Sequence, residues 1–250
     1  MQPQSKFGVR WPVLEQGLLN PRLDIEALAL KFAERGRIRI DNALRPEVAE
    51  FLRTTLENDV PWYLAFRDGS GDRKLSQAEW DALDPAERKR IDAEFNELAR
   101  TGFQFSYCSY MMITAYLNGQ DPDLPLHRVV ELLNRQDWIG PMAGIIGNAA
   151  VRRANCQATL YRPGDFLSVH NDFSDTEPRL AAYVINLSRG WRADLGGLLQ
   201  FLDDDGEVID TFVPRFNSIS LFKTPALHCV SPAAAHASGS RAAITGWLLS

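Results

Sequence analysis

The feature that most constrains the fold is a series of short β-type runs in the last hundred residues. These runs alternate with turn signals and have the lengths of strands rather than of helices. They cover 156–161, 180–187, 197–201, 207–212, 218–222 and 241–248. Asp203 to Gly206 has the composition of a hairpin turn between two of these runs. Many short strands of this kind predict a β-sandwich or a jelly roll.

The first 150 residues have a different pattern, with helices and a few strands between them. The predicted helices cover 23–34, a segment that Pro46 opens and Pro61 ends, two segments capped by Ser76 and Asp84, and 122–133. The predicted strands cover 37–40, 62–66 and 103–117, the last because it is rich in aromatic and β-branched residues. We therefore expect helices that support a β-rich C-terminal region.

The composition is that of an ordinary globular protein and argues against several classes. Apolar residues make up 45% and charged residues 24% of the chain, which is neither disordered nor fibrous. The formal net charge of −5 argues against nucleic-acid binding, which needs an excess of Lys and Arg. Cys108, Cys156 and Cys229 are odd in number and widely spaced, so we expect reduced thiols in the cytoplasm. Residues 1–10 lack a signal-peptide pattern and no apolar run has membrane-spanning length, so no membrane association is expected.

The main chemical signal is the stretch Y-R-P-G-D-F-L-S-V-H-N-D at 161–172. It ends in His170 and Asp172, and side chains two residues apart on a strand share one face. With a second imidazole, such a pair makes the 2-His-1-carboxylate triad, which binds Fe(II) and leaves coordination positions open. One H-x-D/E pair is weak by itself. Four histidines and 32 acidic residues in 250 give about half a pair by chance.

Three further residues strengthen this interpretation. His228 follows the predicted strand 218–222, far enough along the chain to return to the pair. Arg241 opens an apolar strand, and a guanidinium inside a β-core needs an anion because an unpaired buried charge is costly. The 5-carboxylate of 2-oxoglutarate is an anion that would pair with it. Tyr161 can place a phenol beside the same co-substrate.

Taken in order, the motifs of this region resemble the prolyl 4-hydroxylase-type branch of the Fe(II)/2-oxoglutarate dioxygenases. They are Y-x-x-G-D-x-x-x-x-H-x-D, G-G-x-L-x-F, H-x-V-x-P and R-x-A-I-T-G-W, within 155–249. The resemblance implies an α+β, mainly β fold: a double-stranded β-helix (jelly roll) core with supporting N-terminal helices. It implies that His170, Asp172 and His228 are the metal ligands and catalytic centre, and that Arg241 and Tyr161 bind 2-oxoglutarate.

The resemblance also implies the reaction. 2-Oxoglutarate and O2 are consumed, succinate and CO2 are released, and a C–H bond is hydroxylated, with ascorbate as a further cofactor. Within the branch, the chain is most similar to bacterial and fungal enzymes that hydroxylate proline in ribosomal or translation proteins. We expect 1–250 to form a single dioxygenase domain, in which 1–150 support an iron-binding core of 151–250.

Alternatives stay open at this point. The substrate is a prolyl residue of a protein or, alternatively, a free amino acid or small metabolite, and the charged segment 68–100 is a candidate lid. A non-catalytic jelly-roll binding module and a zinc hydrolase with the same ligands are the alternatives from other classes. Further candidates for the pocket are Tyr183, Trp247, Arg179 and Arg192. His127 and His236 are expected to be structural or exposed.

Overall fold

The structure, a computed structural model, describes residues 11–250 apart from the side chain of Asp92. The prediction for residues 1–10 lies outside this range. The helices are α1 Ile25–Arg35, α2 Pro46–Asn58, α3 Gln77–Ala82, α4 Pro85–Thr101, α5 Met112–Asn118, α6 Leu126–Leu133 and α7 Gln136–Ile146. The strands are β1 Arg37–Asp41, β2 Tyr63–Asp68, β3 Gly71–Ser76, β4 Phe105–Tyr110, β5 Arg153–Ala154, β6 Gln157–Tyr161, β7 Phe166–His170, β8 Arg179–Asn186, β9 Leu199–Leu202, β10 Val208–Phe212, β11 Ser218–Lys223, β12 His228–Val230 and β13 Arg241–Leu249.

The ends of α1 and α3 are set by local signals that the sequence displays. The carboxylate of Asp24 accepts a hydrogen bond from the N–H of Ala27 at 3.0 Å, and Gly36 ends α1 in the left-handed conformation. Ser76 and Glu79 form a capping box at the start of α3. The predictions of these two helices are confirmed.

The segment 103–117 departs from the prediction of one strand. β4 ends at Tyr110, and α5 follows it directly. Met112 and Ala115 are buried at helical spacing, and Gly119 ends α5 with φ 67°. Aromatic and β-branched residues occur in both halves of the segment, so composition alone does not separate strand from helix. The helical spacing of the buried residues and the glycine cap identify the second half as a helix.

β3 and α7 are among the elements that the sequence-based predictions do not include. β3 is a polar edge strand that pairs antiparallel with β2. α7 contains Pro141, a residue that disfavours a helix interior, so its local propensity is poor. Gly144 lets α7 lie close to α1, since a Cβ there would be 3.2 Å from Cγ2 of Ile25. Tertiary packing therefore stabilises this helix against its own propensity.

Ten strands form one path of hydrogen-bonded neighbours, in the order β1-β11-β8-β13-β6-β4-β7-β12-β9-β10. The pairs along this path are antiparallel, β2 and β3 extend the sheet beside β4, and β5 pairs with β13. The path folds back on itself, so that β6, β8 and β13 face β7, β9 and β12 across one cavity. This nearly closed barrel, with helices beside it, confirms the predicted jelly roll.

The strands that separate the helices from the cavity have two buried faces. On β8, Tyr183 and Ile185 pack into the large core shared with the helices. Ala182, on the opposite face, packs inside the barrel with Phe201 and Phe222. This alternation follows from the period of two in a strand. None of the helices within 11–250 is long and apolar enough to cross a membrane.

Candidate metal and co-substrate site

Neighbouring strands bring the three predicted metal ligands together. His170 ends β7, His228 begins β12, and the two are direct partners in the antiparallel ladder. Asp172 lies two residues past the end of β7 and is buried. Its Oδ1 is 3.7 Å from Nε2 of His170, and its Oδ2 is 3.5 Å from Nε2 of His228. The ligand atoms of all three lie within 4.8 Å of one another, a spacing that one metal ion can bridge.

The protein backbone orients both imidazoles. Nδ1 of His170 is 2.9 Å from the carbonyl oxygen of Ser168, and Nδ1 of His228 is 2.8 Å from that of Ala226. A protonated Nδ1 that donates to a carbonyl leaves the Nε2 lone pair free for a metal. Burial, and then the nearby His170, lower the pKa of His228 and favour its neutral form. The donor set therefore fits Fe(II).

The other two histidines lie elsewhere, as the sequence predicts. His127 is buried on α6, where its Nε2 is 2.6 Å from the carbonyl oxygen of Gln120 and 2.9 Å from that of Asp121. His236 is exposed in the loop before β13. Within the described part of the chain, the grouping of His170, Asp172 and His228 is the one with the spacing of a metal site.

Arg241 lies in the same cavity, and its buried guanidinium has no ion-pair partner within the described residues. It is 2% exposed, and its Nε and Nη1 have no hydrogen-bond partner within residues 11–250. Its Cζ is 5.1 Å from the ring centroid of Tyr161, its partner in the ladder between β13 and β6. Burial lowers the pKa of Arg241, because the charged form loses its hydration. A carboxylate ligand would supply the missing acceptors.

Tyr161 is buried beside Arg241, and burial raises the pKa of its phenol, so the hydroxyl is neutral at pH 7. Its ring stacks on Tyr107 of β4, with centroids 5.1 Å apart and planes at 22°. Tyr107 also lines the cavity but is absent from the sequence-based site. The one local signal for Tyr107 is that residues 105–110 partly alternate between apolar and polar, as in a strand. That pattern does not indicate which strand lies beside β4.

One cavity of about 80 Å³ joins Arg241 to the group of His170, Asp172 and His228, called the metal group below. Its other lining residues include Gln157, Thr159, Leu167, Leu199, Phe222 and Val230. The wall is thus mainly apolar with a few convergent polar groups, as is typical of a small-ligand site. The cavity therefore has metal-binding side chains and a buried guanidinium in the same lining.

Tyr183 and Asn171 have structural rather than ligand-binding contacts. Tyr183 borders the cavity, yet its hydroxyl donates to the carbonyl of Asn155 at 2.7 Å and its ring packs edge-on against Trp138. Asn171 is exposed, and its side-chain oxygen accepts the N–H of Phe173 at 3.2 Å. Asn171 therefore lies outside the ligand group, as expected.

Arg179 stacks on Trp247, a residue that lines the cavity. The guanidinium carbon of Arg179 is 3.7 Å from the ring centroid of Trp247, and its Nη1 donates to the carbonyl of Asp172 at 3.4 Å. Trp247 lines the cavity, and its indole N–H is buried without a partner within 11–250. Arg192 instead forms an exposed ion pair with Asp194. The structure brings Arg179, and not Arg192, to the site.

The profile of the 2OG-Fe(II) oxygenase superfamily matches residues 156–249. The matched segment contains His170, Asp172, His228 and Arg241. This match and the grouping of the three metal-site residues support a 2-oxoglutarate-dependent dioxygenase, with Fe(II) as cofactor and 2-oxoglutarate and O2 as co-substrates. The match does not favour a non-catalytic jelly-roll module.

Individual relatives carry the names of prolyl hydroxylases. Prolyl 3-hydroxylase OGFOD1 of Mus musculus is 22% identical over 174 residues, which is 67% of this chain but 30% of that protein. A Trichoplax adhaerens prolyl hydroxylase, solved with a hypoxia inducible factor peptide, has a TM-score of 0.58, 17% identity and coverage of 90% of this chain and 88% of that one. A Pseudomonas putida prolyl-4-hydroxylase has a TM-score of 0.55, 18% identity and coverage of 90% and 98%. At these identities the structural likeness shows a shared fold.

Proposed function

We propose that this chain hydroxylates a prolyl residue of a protein, with release of succinate and CO2. The observation that carries the proposal is the single cavity between the group of His170, Asp172 and His228 and the unpaired guanidinium of Arg241. The names of the relatives favour proline. The names refer to different carbons of the proline ring, C3 in one relative and C4 in the other. The proposal therefore does not specify which ring carbon is hydroxylated. A translation protein as substrate and a cytoplasmic location remain predictions.

Each residue of the site has a distinct proposed role. Nε2 of His170, Nε2 of His228 and the carboxylate of Asp172 would hold Fe(II), which when bound supplies the oxidative chemistry at the C–H bond. The guanidinium of Arg241 would pair with the 5-carboxylate of 2-oxoglutarate, beside the ring of Tyr161. Apolar side chains of the cavity wall would exclude water from the keto acid.

The surroundings of the metal group favour a protein segment over a small molecule as substrate. His170 is partly exposed, so the cavity opens at this end. The ring of Phe103 is 5.6 Å from that of His170 and 38% exposed, and Phe173, just after Asp172, is 66% exposed. Exposed apolar side chains beside an open site indicate a surface that a partner covers. They would contact side chains that flank the target proline.

The charged segment 68–100 is folded structure that packs on β7, the strand of His170. It contains β3, α3 and most of α4, and Phe95 of α4 packs on Phe166 of β7 with ring centroids 5.5 Å apart. Its function as a lid remains a prediction. A free amino acid would need such a cover, whereas a protein segment would need the opening.

The first experiment is an anaerobic titration of the apo protein with Fe(II) and 2-oxoglutarate, observed through the visible metal-to-ligand charge-transfer band. We expect the band in the wild type and in His236→Ala, which removes an exposed imidazole, and not in His228→Ala. A folded wild-type protein that binds metal without this band would contradict the proposed site.

The second experiment tests the substrate class. Proline-containing peptides with apolar flanking residues should be hydroxylated, as measured by a 16 Da mass increase, roughly the mass of one oxygen atom. Phe173→Ala should raise their KM about 3- to 10-fold, as expected for loss of an apolar contact. Leu117→Ala is the matched control, because Leu117 is 68% exposed on α5. Equal KM values in the two variants would remove Phe173 from the substrate surface.

A further inference from the structure

A row of side chains crosses three strands and ends at the proposed co-substrate anchor. In the β4–β6 ladder Cys108 is opposite Leu160, which places Tyr107 beside Tyr161. In the β6–β13 ladder Tyr161 is opposite Arg241. Residues opposite one another in a ladder share a face, so these three side chains all point into the cavity. Tyr161 is thus the middle of the row.

The contacts along this row form a stack of three flat groups. The rings of Tyr107 and Tyr161 are close to parallel, with centroids 5.1 Å apart. The guanidinium carbon of Arg241 is also 5.1 Å from the Tyr161 centroid. Because Arg241 and Tyr107 belong to strands on either side of β6, the Tyr161 ring is held between them. A shift of Tyr161 would therefore move the guanidinium.

Tyr107 is itself well fixed. Burial raises the pKa of its phenol, and a hydrogen bond from the side chain of Gln157 lowers it in part. The charges of Asp72 and Asp172 also raise this pKa. The phenol is neutral at pH 7. Tyr107 therefore contacts Tyr161 through its neutral ring and not through a charge.

We infer that Tyr107 is a positioning residue for 2-oxoglutarate binding, which acts by holding Tyr161 and, through it, Arg241. Tyr107 lies outside the segment 156–249 that matches the superfamily, so the family motif does not include it. The inference rests on the proposed function, because it assumes that Arg241 binds the 5-carboxylate. A long arginine side chain loses rotamer freedom when it binds, and a preset stack reduces that loss.

Two substitutions separate the ring of Tyr107 from its hydroxyl. Tyr107→Phe keeps the stacked ring and loses the hydrogen bond with Gln157, whereas Tyr107→Leu keeps an apolar side chain and loses the stack. We expect Tyr107→Leu to weaken 2-oxoglutarate binding about 3- to 10-fold, the range of an aromatic pair, and Tyr107→Phe to change it less than about 2-fold. Fe(II) affinity should stay the same in both.

The measurement is anaerobic calorimetry of each full-length variant with Fe(II) alone, and then with 2-oxoglutarate added to the Fe(II)-loaded protein. Phe95→Leu is the matched control, because its ring pair with Phe166 has a similar separation of 5.5 Å and lies outside the cavity lining. Thermal unfolding by circular dichroism verifies that each variant is folded. If Tyr107→Leu does not fold, Tyr107→Met replaces it.

A double-mutant cycle tests the path through Tyr161. In a Tyr161→Leu background, Tyr107→Leu should cause no further loss of 2-oxoglutarate affinity, because the ring that it supports is gone. Additive losses would overturn the positioning role, as would wild-type affinity in Tyr107→Leu. A wild-type protein that binds Fe(II) but not 2-oxoglutarate would overturn the proposed function instead, and this inference with it.

Discussion

The two ends of the cavity satisfy their buried polar groups in different ways. At the metal end, each imidazole has a backbone carbonyl at its Nδ1 and faces the carboxylate of Asp172, and His170 is partly exposed. At the other end, Arg241 is sealed from solvent and two of its nitrogens have no acceptor within 11–250. The chain thus completes the orientation of its metal group by itself. The guanidinium still needs acceptors, which a carboxylate ligand would supply.

Removing a ligand at the metal end is expected to have the largest effect. Asp172→Ala should weaken Fe(II) binding by more than about 100-fold, since residues that merely orient ligands are worth 10- to 100-fold. 2-Oxoglutarate binding should fall with it, because the keto acid also needs the metal. Anaerobic Fe(II) titration against a competing chelator measures this, with Asp175→Ala in the exposed loop as control. Fe(II) affinity within a few-fold of wild type would remove Asp172 from the triad.

A change at the other end should separate the two functions. Arg241→Met should leave Fe(II) binding intact and weaken 2-oxoglutarate binding about 30- to 150-fold, the value of a charge-assisted pair of about 2–3 kcal/mol. The apo protein should not lose stability, because the substitution removes an unpaired buried cation. Calorimetry and urea unfolding measure the two quantities. A large drop in the free energy of unfolding would show that Arg241 has a partner in the apo protein.

The pH dependence of the apo protein should show the smallest effect of the three. The pKa of His228 is lower folded than unfolded, so below about pH 6.5 the unfolded chain binds more protons than the folded chain does. Stability should therefore fall by about 1–2 kcal/mol as the pH falls from 7 to 5. His228→Leu should reduce this loss. Urea unfolding of the chelator-treated proteins measures it, and identical pH slopes would contradict the lowered pKa.

The site could be read from the sequence where it depends on local spacing, and not where it depends on which strands meet. His170 and Asp172 are two residues apart, and Arg241 opens an apolar run, so short motifs selected three residues that the structure places in one cavity. Nothing in the sequence places Tyr107 next to Tyr161, because β4 and β6 are separated by three helices. The carbonyls that orient the imidazoles are backbone atoms, which sequence letters do not distinguish.

The fold, like the site, was predictable where it depends on local signals. The capping signals were sufficient to predict α1 and α3, because a cap is formed by residues within one turn. α7 could not be predicted in this way, since Pro141 disfavours a helix and the packing of Gly144 on Ile25 supplies the stabilisation. The helix in the second half of 103–117 could not be predicted without knowing that Met112 is buried.

The pairing of β1 with β11 has a consequence for the order in which the protein folds. β1 covers the outer edge of β11, with Arg37 opposite Phe222, so the first strand of the described chain joins one of the last. Contacts between segments so distant in sequence form slowly, because a long loop must close before they gain energy. During synthesis, β1 cannot pair with β11 until most of the chain has been made. Until it pairs, the backbone of β11 is an open edge to which another chain can add.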